Sequence, residues 1–352
     1  MHILARSYKK ACGTLSGIRY QRGSTPVNSD VPVRVTLDIS RYVYARYFFS
    51  FVKFLALEGM GVDLRLRPET IYDISRAQYG SRVLSERLVT LTNFSRRGRM
   101  IGDRRAEVGF GPYDFEPSRD PAIYDVPMAQ HPLMYAKGLW NQPVQAGMPC
   151  AAILFVGNYE PGIYTRIESE GLFDVIGRIR LREILCGSGL AREASPADFG
   201  KIAEGFVTLV DSARCPVQIE DFRQLVSSFG FFLCAPGAFM PLCHNLIEAM
   251  SVGTIPLIQR SYAELLQPAL EQGKNAIVFE NEEDLTPCVK AALQMSPEEI
   301  GSMKRRVLHY YEQNLAPQAV VARVMAPEVR RIRMLAGEFS LAMLRESRNG
   351  KK

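Results

Sequence analysis

The sequence predicts an α/β protein built on two parallel sheets, and three observations carry that prediction. Short apolar runs recur along the chain at Val33–Ile39, Val62–Leu66, Ala151–Val156, Phe231–Ala235 and Ile255–Ile258. Several are followed by Gly, Pro or a capping residue and then by a stretch whose apolar residues fall three and four apart, the pattern of strand, crossover helix and next strand. The length of 352 residues, 47% of them hydrophobic, is enough for two domains of ordinary size.

Residues 1–30 are rich in Gly, Ser and basic residues and read as a flexible basic arm. Val33–Ile39 is a strand with Asp38 near its carboxyl end. Ser40 then caps a helix with a stripe of Val43, Tyr47, Phe51, Phe54 and Leu55, closed by Gly59. Val62–Leu66 is the next strand. Ligands of such sheets gather beyond the carboxyl ends of the strands, which puts Asp38 and Arg41 at a cleft edge. Asp38 serves equally well as a cap for the helix at Ser40, and both readings stand. Leu88–Phe94 reads as a further strand. Ser95–Tyr124, with Gly98, Gly102, Gly109, Gly111, Pro112, Pro117 and Pro121, reads as a long functional loop whose Arg96, Arg97 and Arg104 suit an anionic acceptor. Met128–Pro149 is rich in breakers and reads as the linker between halves; it contains His131 and Trp140.

The second half opens with the buried run Ala151–Val156 followed by Gly157-Asn158. Pro161 starts a helix running to Glu170, and Phe173–Ile176 is a strand ending in Gly177-Arg178. Gly157 permits close backbone approach, and Arg178 offers a planar donor for a diphosphate, with a surface salt bridge as its other reading. Helices are expected at Pro196–Val210 and Gln218–Ser228. The chain then reaches its organising stretch, Phe229–Ile258. A strand ends at Pro236-Gly237, a helix starts at Pro241 and stops at Gly253, and a second buried strand follows. His244 and Glu248, four apart, share one face near the helix start, where unsatisfied N–H groups attract an anion. They either bind phosphate and sugar hydroxyls or pair with one another. Helix, strand, helix and helix follow at Tyr262–Leu270, Asn275–Phe279, Glu283–Gln294 and Pro297–Gln313. Pro317–Arg345 has helical spacing, kinked at Pro327.

Composition excludes several classes. The seven cysteines are odd in number, scattered and without a CxxC pair, which argues against a disulfide framework or zinc site and for a reducing, cytoplasmic compartment. No apolar run reaches the roughly 18–20 residues that span a bilayer, and the basic start lacks the apolar core of a signal peptide. The net charge of +6 is uneven. Arginines cluster at 96–105 and basic residues crowd 330–352, which suits acidic acceptors or peripheral contact with an anionic membrane. No stacking motif supports nucleic-acid binding.

The stretch His244-Asn245-Leu-Ile-Glu248-Ala-Met-Ser-Val-Gly-Thr-Ile-Pro256, followed by Gln272–Phe279 and preceded by Leu154–Asn158 and Phe173–Arg178, resembles the donor-binding half of GT-B glycosyltransferases. The exostosin-like and fucosyltransferase-like branches are closest in look. The resemblance covers Ala151–Leu315 and implies two Rossmann-like parallel-sheet domains facing across a cleft, with a C-terminal helix packing back on the N-terminal domain. The implied division is a 1–30 arm, a 31–146 acceptor domain, a 147–316 nucleotide-sugar domain and a 317–352 extension. It further implies a donor site of Gly157, Asn158, Arg178, Pro236, Gly237, His244, Asn245 and Glu248, an acceptor site with Arg41, Arg96, Arg97 and Arg104, and closure about the linker. The activity implied is hexosyl or deoxyhexosyl transfer from a UDP- or GDP-linked sugar to a glycan or glycolipid, with no cofactor. Retaining members commonly carry a second glutamate where this chain has Met240, and no Asp-x-Asp motif is present, so the expectation is inverting, metal-independent transfer. Asp38 or His131 would be the base. A nucleotide-sugar-binding subunit without catalysis and a nucleotide-sugar epimerase are the alternatives.

Overall fold

Each apolar run that becomes a strand returns to its sheet through a helix or a long connection, and the result is parallel pairing throughout both sheets. The computed structural model describes residues 2–23, 25–31, 33–39, 45–92, 104–111, 117–145, 149–165, 167, 173–194 and 204–335. Among these, residues up to Pro127 together with Pro317–Leu335 form one unit, and Met128–Ala316 form the other.

The sheet of the first unit has the order β3 (Thr90–Leu91), β2 (Gly61–Leu66), β1 (Arg34–Ile39), β4 (Arg104–Gly111), β12 (Arg331–Leu335) and β5 (Ile123–Asp125). Helix Ala45–Leu57 buries Phe48, Phe49, Phe51, Phe54 and Leu55. At about 1.5–3 kcal/mol for each buried apolar side chain, this stripe is a main source of the unit's stability. Helix Pro317–Val324 packs on it, so the end of the described chain returns to the first unit.

Four sequence expectations for this unit are corrected. Residues 2–22, read as an arm, form helix His2–Arg22. Its Gly13 is a contact surface and not a breaker: a Cβ there would lie 1.7 Å from the Pro68 carbonyl oxygen, so glycine lets this helix lie against helix Pro68–Arg76. The loop expected over 95–124 contains β4, which lies between β1 and β12; its Gly109 and Gly111 sit in the part paired with β12. The strand expected over Leu88–Phe94 is described only at Thr90–Leu91. Residues 331–335, expected as helix, form β12, because Ile332 and Met334 are buried while Arg331 and Arg333 alternate with them.

Asp125, at the end of β5, holds β12 in place. It is 6% exposed and accepts from Arg333 Nε at 2.6 Å, Arg333 Nη2 at 2.8 Å and the Ser118 N–H at 2.7 Å. Asp125→Ala should therefore destabilise the first unit by on the order of 3 kcal/mol, read as an earlier transition in urea.

The sheet of the second unit has the order β11 (Ile277–Phe279), β10 (Ile255–Gln259), β9 (Phe231–Leu233), β6 (Ile153–Gly157), β8 (Val207–Asp211) and β7 (Ala191–Glu193). Of the helix expected at 196–210, residues 196–203 lie outside the described residues and Val207–Val210 fall in β8, whose Val207, Leu209 and Val210 are buried. The strand expected at Phe173–Ile176 is not formed; the segment lies outside the sheet and is followed by helix Arg178–Gly187. The helix expected from Pro161 to Glu170 is described as Pro161–Tyr164, and that expected at Tyr262–Leu270 as Arg260–Ala263. Gly253 ends its helix at φ +75°, as a left-handed stop requires.

Lys304, on helix Pro297–Asn314, donates to the carbonyls of Ser227 at 3.0 Å and Phe229 at 2.9 Å. Burial pushes its ammonium down from 10.5 to about 8. Between those two values the unfolded chain binds more protons than the folded one, so stability rises with pH there. The difference in unfolding free energy between wild type and Lys304→Met should climb from about pH 8 to 10.5, by at most about 1.4 kcal/mol per pH unit, and level off above, as measured by urea titrations across that range.

Candidate functional site

In the second sheet the connection that leaves β6 travels toward β7 and β8, whereas the connections that leave β9 travel toward β10 and β11. β6 and β9 are neighbours, so the direction of winding reverses between them. In open parallel sheets the connections part beyond the carboxyl ends at such a point, and the crevice between them is where ligands are received.

Arg178 spans that point. It is the first residue of helix Arg178–Gly187 and is 5% exposed. Its Nη1 donates to the Asn158 carbonyl, one residue past β6, at 3.1 Å; its Nη2 donates to the Pro236 carbonyl, past β9, at 2.7 Å. The Tyr164 ring lies 3.7 Å from the guanidinium carbon. Nε is buried and has no hydrogen-bond partner. Gly157 leaves room for this arrangement: a Cβ there would lie 2.7 Å from Phe155 Cζ and 3.1 Å from Arg178 Nη1. Asn158 accepts from the Glu160 N–H at 2.7 Å and turns the chain away from the strand.

Asn245 approaches the same strand end, donating from Nδ2 to the Val156 carbonyl at 3.4 Å. Its Oδ1 is buried without a partner. Two buried polar atoms of opposite kind, a guanidinium N–H and an amide oxygen, thus belong to residues that bracket the end of β6. Buried groups of this kind are normally satisfied, and their occurrence together marks a place for a polar ligand.

The helix that carries His244 and Glu248 begins later than Pro241 suggests. It runs His244–Met250, and Cys243 before it is extended at φ −133°. Two tertiary bonds account for the shift: the Cys243 N–H donates to the Tyr262 hydroxyl at 2.7 Å, and the Gly237 N–H closes a turn on the Pro241 carbonyl at 3.1 Å. The Gly237 and Cys243 N–H groups thus have partners within the chain.

Glu248 is 2% exposed and uses both oxygens. Oε1 accepts from the His131 backbone N–H at 2.9 Å, and Oε2 lies 3.1 Å from His244 Nδ1. The two imidazole rings meet edge to face, 5.1 Å between centroids. His131 caps helix Pro132–Ala136, its Nδ1 accepting from the Leu133 N–H at 3.3 Å. The passage expected as a hinge is fastened to the second unit around it. Gln130 donates to the Tyr311 hydroxyl at 2.9 Å and to the Trp140 carbonyl at 3.2 Å. Arg223 donates to the carbonyls of Leu139 at 2.9 Å and Gln142 at 2.6 Å. Burial pushes the Tyr135 hydroxyl well up and that of Tyr311 up to about 12, so both stay neutral. Among the described residues no group of three or more His, Cys, Asp or Glu could hold a metal ion, and no helix is long and apolar enough to cross a membrane.

The second unit thus brings together Gly157, Asn158, Arg178, Pro236 and Asn245 at the crevice, with Gly237 in the adjoining turn, and His131, His244 and Glu248 one helical turn along. Of the remaining candidates, two are described in the first unit. The backbone of Asp38 sits near the carboxyl end of β1, opposite Glu107 of β4. Arg104 is the first residue of β4, opposite Val35 near the amino end of β1. Only the backbone of these two is described, and Arg41, Arg96 and Arg97 lie outside the described residues. Tyr164, Tyr262, Gln130 and Arg223 carry no signal in the sequence, because each meets its partner through long-range packing.

No family model and no curated protein matches this chain. Several solved structures are similar in fold. WaaG, a glycosyltransferase involved in lipopolysaccharide biosynthesis, shares 13% identity over 83% of this chain and 99% of its own, with a TM-score of 0.36. Sucrose-phosphate synthase from Thermosynechococcus elongatus shares 14% identity over 83% and 97%, with a TM-score of 0.38. An alpha-glucosyltransferase solved with UDP and a 13-mer DNA shares 10% identity over 80% and 95%, also at 0.38. The fold class is α/β with parallel sheets. These distant likenesses carry no argument about activity, which rests on the crevice itself.

Gly157→Ala tests how tightly that crevice is built. The added methyl meets Phe155 and Arg178 at less than normal contact and should lower the melting temperature in a calorimetric scan, at about 1–3 kcal/mol of lost stability.

Proposed function

We propose that this chain is a glycosyltransferase that holds a nucleotide-sugar donor at the β6/β9 crevice of its second unit and moves the sugar to a glycan or glycolipid hydroxyl. The observation that supports this reading is the pairing of a guanidinium with an orphaned amide oxygen at a topological switch point. Arginine has five N–H donors in one plane, and Arg178 gives two of its own to carbonyls. The others match the oxygens of a diphosphate in geometry and charge. Asn158, Pro236, Gly237 and Asn245 line the approach, and His244 supplies a second nitrogen donor beside it. Glu248 acts on the donor through His244, which its Oε2 faces, while its Oε1 holds the His131 N–H.

The transfer is inverting and metal-independent in this reading. A departing diphosphate develops negative charge, which Arg178 and His244 meet without a divalent ion. Acceptor binding falls to the unit that carries Asp38, Arg41, Arg96, Arg97 and Arg104, with Asp38 the base that receives the acceptor's proton. The group moved is a hexosyl or deoxyhexosyl residue carried on UDP or GDP.

A thermal-shift series with UDP-glucose, UDP-galactose, GDP-mannose, GDP-fucose, CMP-sialic acid and ADP-glucose tests the donor site. A donor at a hundred times its dissociation constant should add about 2.7 kcal/mol to the native state. Asn158→Asp keeps the acceptor for the Glu160 N–H but adds a negative charge beside the crevice, so it should weaken that donor about tenfold or more while leaving the unliganded melting temperature in place. No shift with any donor, or equal affinity in Asn158→Asp, would overturn the reading. Transfer to acceptor or slow hydrolysis of the bound donor, followed by nucleotide release with and without EDTA, separates an enzyme from a binding subunit.

A further inference from the structure

We infer that the outward face of helix His2–Arg22 is a docking surface for an anionic membrane. Its apolar stripe of Tyr8, Leu15 and Ile18 enters the headgroup layer, while Lys10, Arg19 and Arg22 meet the lipid charges. The inference does not rest on the donor-site reading, since it concerns the first unit and a different ligand.

The two sides of this helix differ in what they touch. On one side Gly13 and Gly17, four apart, are buried, and the Pro68 carbonyl oxygen occupies the place that a Cβ on Gly13 would need. Helix Pro68–Arg76 packs against the helix there. Polar bonds tie it further to the unit. The Tyr20 hydroxyl donates to the Val89 carbonyl, Gln21 Nε2 to the Leu91 carbonyl at 2.7 Å and Lys9 Nζ to Asp73 Oδ1 at 2.8 Å. Arg6 Nε lies 3.8 Å from Glu69 Oε1.

The other side carries Tyr8, Ala11, Leu15, Ile18 and Arg22 at spacings of three, four, three and four, so they line one stripe along the helix. All five are exposed, Tyr8 at 59%, Leu15 at 56% and Ile18 at 36%. Single apolar side chains on a surface are ordinary, but three in register on one helix make a patch that water solvates poorly.

Charge decides what covers that patch. The helix holds Arg6, Lys9, Lys10, Arg19 and Arg22 and no acid, and the first acidic residue of the chain is Asp30. Arg6 and Lys9 are paired with Glu69 and Asp73 of the neighbouring helix. Lys10, Arg19 and Arg22 are exposed, and their side chains have no partner among the described residues. By helical position Lys10 and Arg19 lie on either side of the stripe and Arg22 at its end. Arg76 adds a cation near the other end: it lies 4.8 Å over the Tyr72 ring, which meets the Tyr8 ring edge to face. Such side chains lay their stems along apolar surface and keep their charges at the polar level, and tyrosine suits the same boundary. A second copy of the chain would set like charges against like, with no acid on the helix to pair them. Three large side chains and an alanine are also few against the roughly 20–30 residues a side of a stable protein interface. An anionic bilayer supplies an apolar layer and a negative layer together and needs no matching shape.

The test is flotation of the full chain with vesicles of phosphatidylcholine, alone or with about 30 mol% phosphatidylglycerol, at about 0.1 M salt. The chain should float with the anionic vesicles. Binding to neutral vesicles, or to anionic ones at about 1 M salt, should be weaker by about tenfold or more. Leu15→Ser with Ile18→Ser removes the apolar part, and Lys10→Glu with Arg19→Glu reverses two charges. All four positions are exposed, so the melting temperature should hold while each pair lowers the partition coefficient about tenfold or more. Tyr8→Trp should add a blue-shifted emission on anionic vesicles beyond that of the wild type, whose one tryptophan is Trp140 of the second unit. Failure to float with anionic vesicles, or binding unchanged in either pair, overturns the inference. Self-association that Leu15→Ser with Ile18→Ser abolishes, without vesicle binding, overturns it in favour of a second copy. Should either pair fail to fold, the emission of Tyr8→Trp decides, and no added blue shift overturns the inference.

Discussion

A guanidinium held between two strand ends is the constraint on which the second unit depends. β6 and β9 are adjacent, yet the chain reaches β9 only after building β7 and β8, so their carboxyl ends are joined by no short connection. Arg178 supplies the join. It donates to the carbonyls of Asn158 and Pro236, just past the ends of these two central strands, and it stacks on Tyr164. A buried charge tolerates this position only because hydrogen bonds and a ring face replace its water. The same geometry leaves the buried Nε of Arg178 without a partner.

Glu248 plays the matching part on the next connection. Its two oxygens link a backbone N–H in the 131–136 segment to a ring nitrogen on its own helix, so a single carboxylate ties that segment to the helix. The 128–145 passage is thereby a fastened strap of the second unit. Its breakers reflect a chain that follows a surface, with carbonyls gripped by Arg223 and Gln130, and not a free linker.

The misreadings in the sequence have a common origin. Gly109 was punctuation by local rules, but it lies in a strand, opposite Arg333 of β12, and Gly13, within the stretch read as an arm, permits helix contact. The 331–335 strand fits helical and strand periods equally when read alone, since Ile332 and Leu335 are three apart while Ile332 and Met334 are two apart. Pro241 has every local reason to begin a helix, and bonds from Tyr262 and within the Gly237 turn delay it to His244. In each case the deciding partner is distant in the chain, so short windows hold no trace of it.

By itself the sequence determined the alternation of buried runs and amphipathic stripes, the Gly253 stop, and the four-residue spacing of His244 and Glu248, because these follow from local sterics and from helical and strand periods. The α/β class with parallel strands follows from that alternation. Tertiary structure alone decided the strand order, and with it the crevice between β6 and β9. It also decided that Arg178 is a buried bridge, that β12 joins the first sheet, and that His131 meets Glu248 across 117 residues of chain. Those choices depend on which distant groups satisfy one another once water is excluded, a condition that no local stretch of sequence contains.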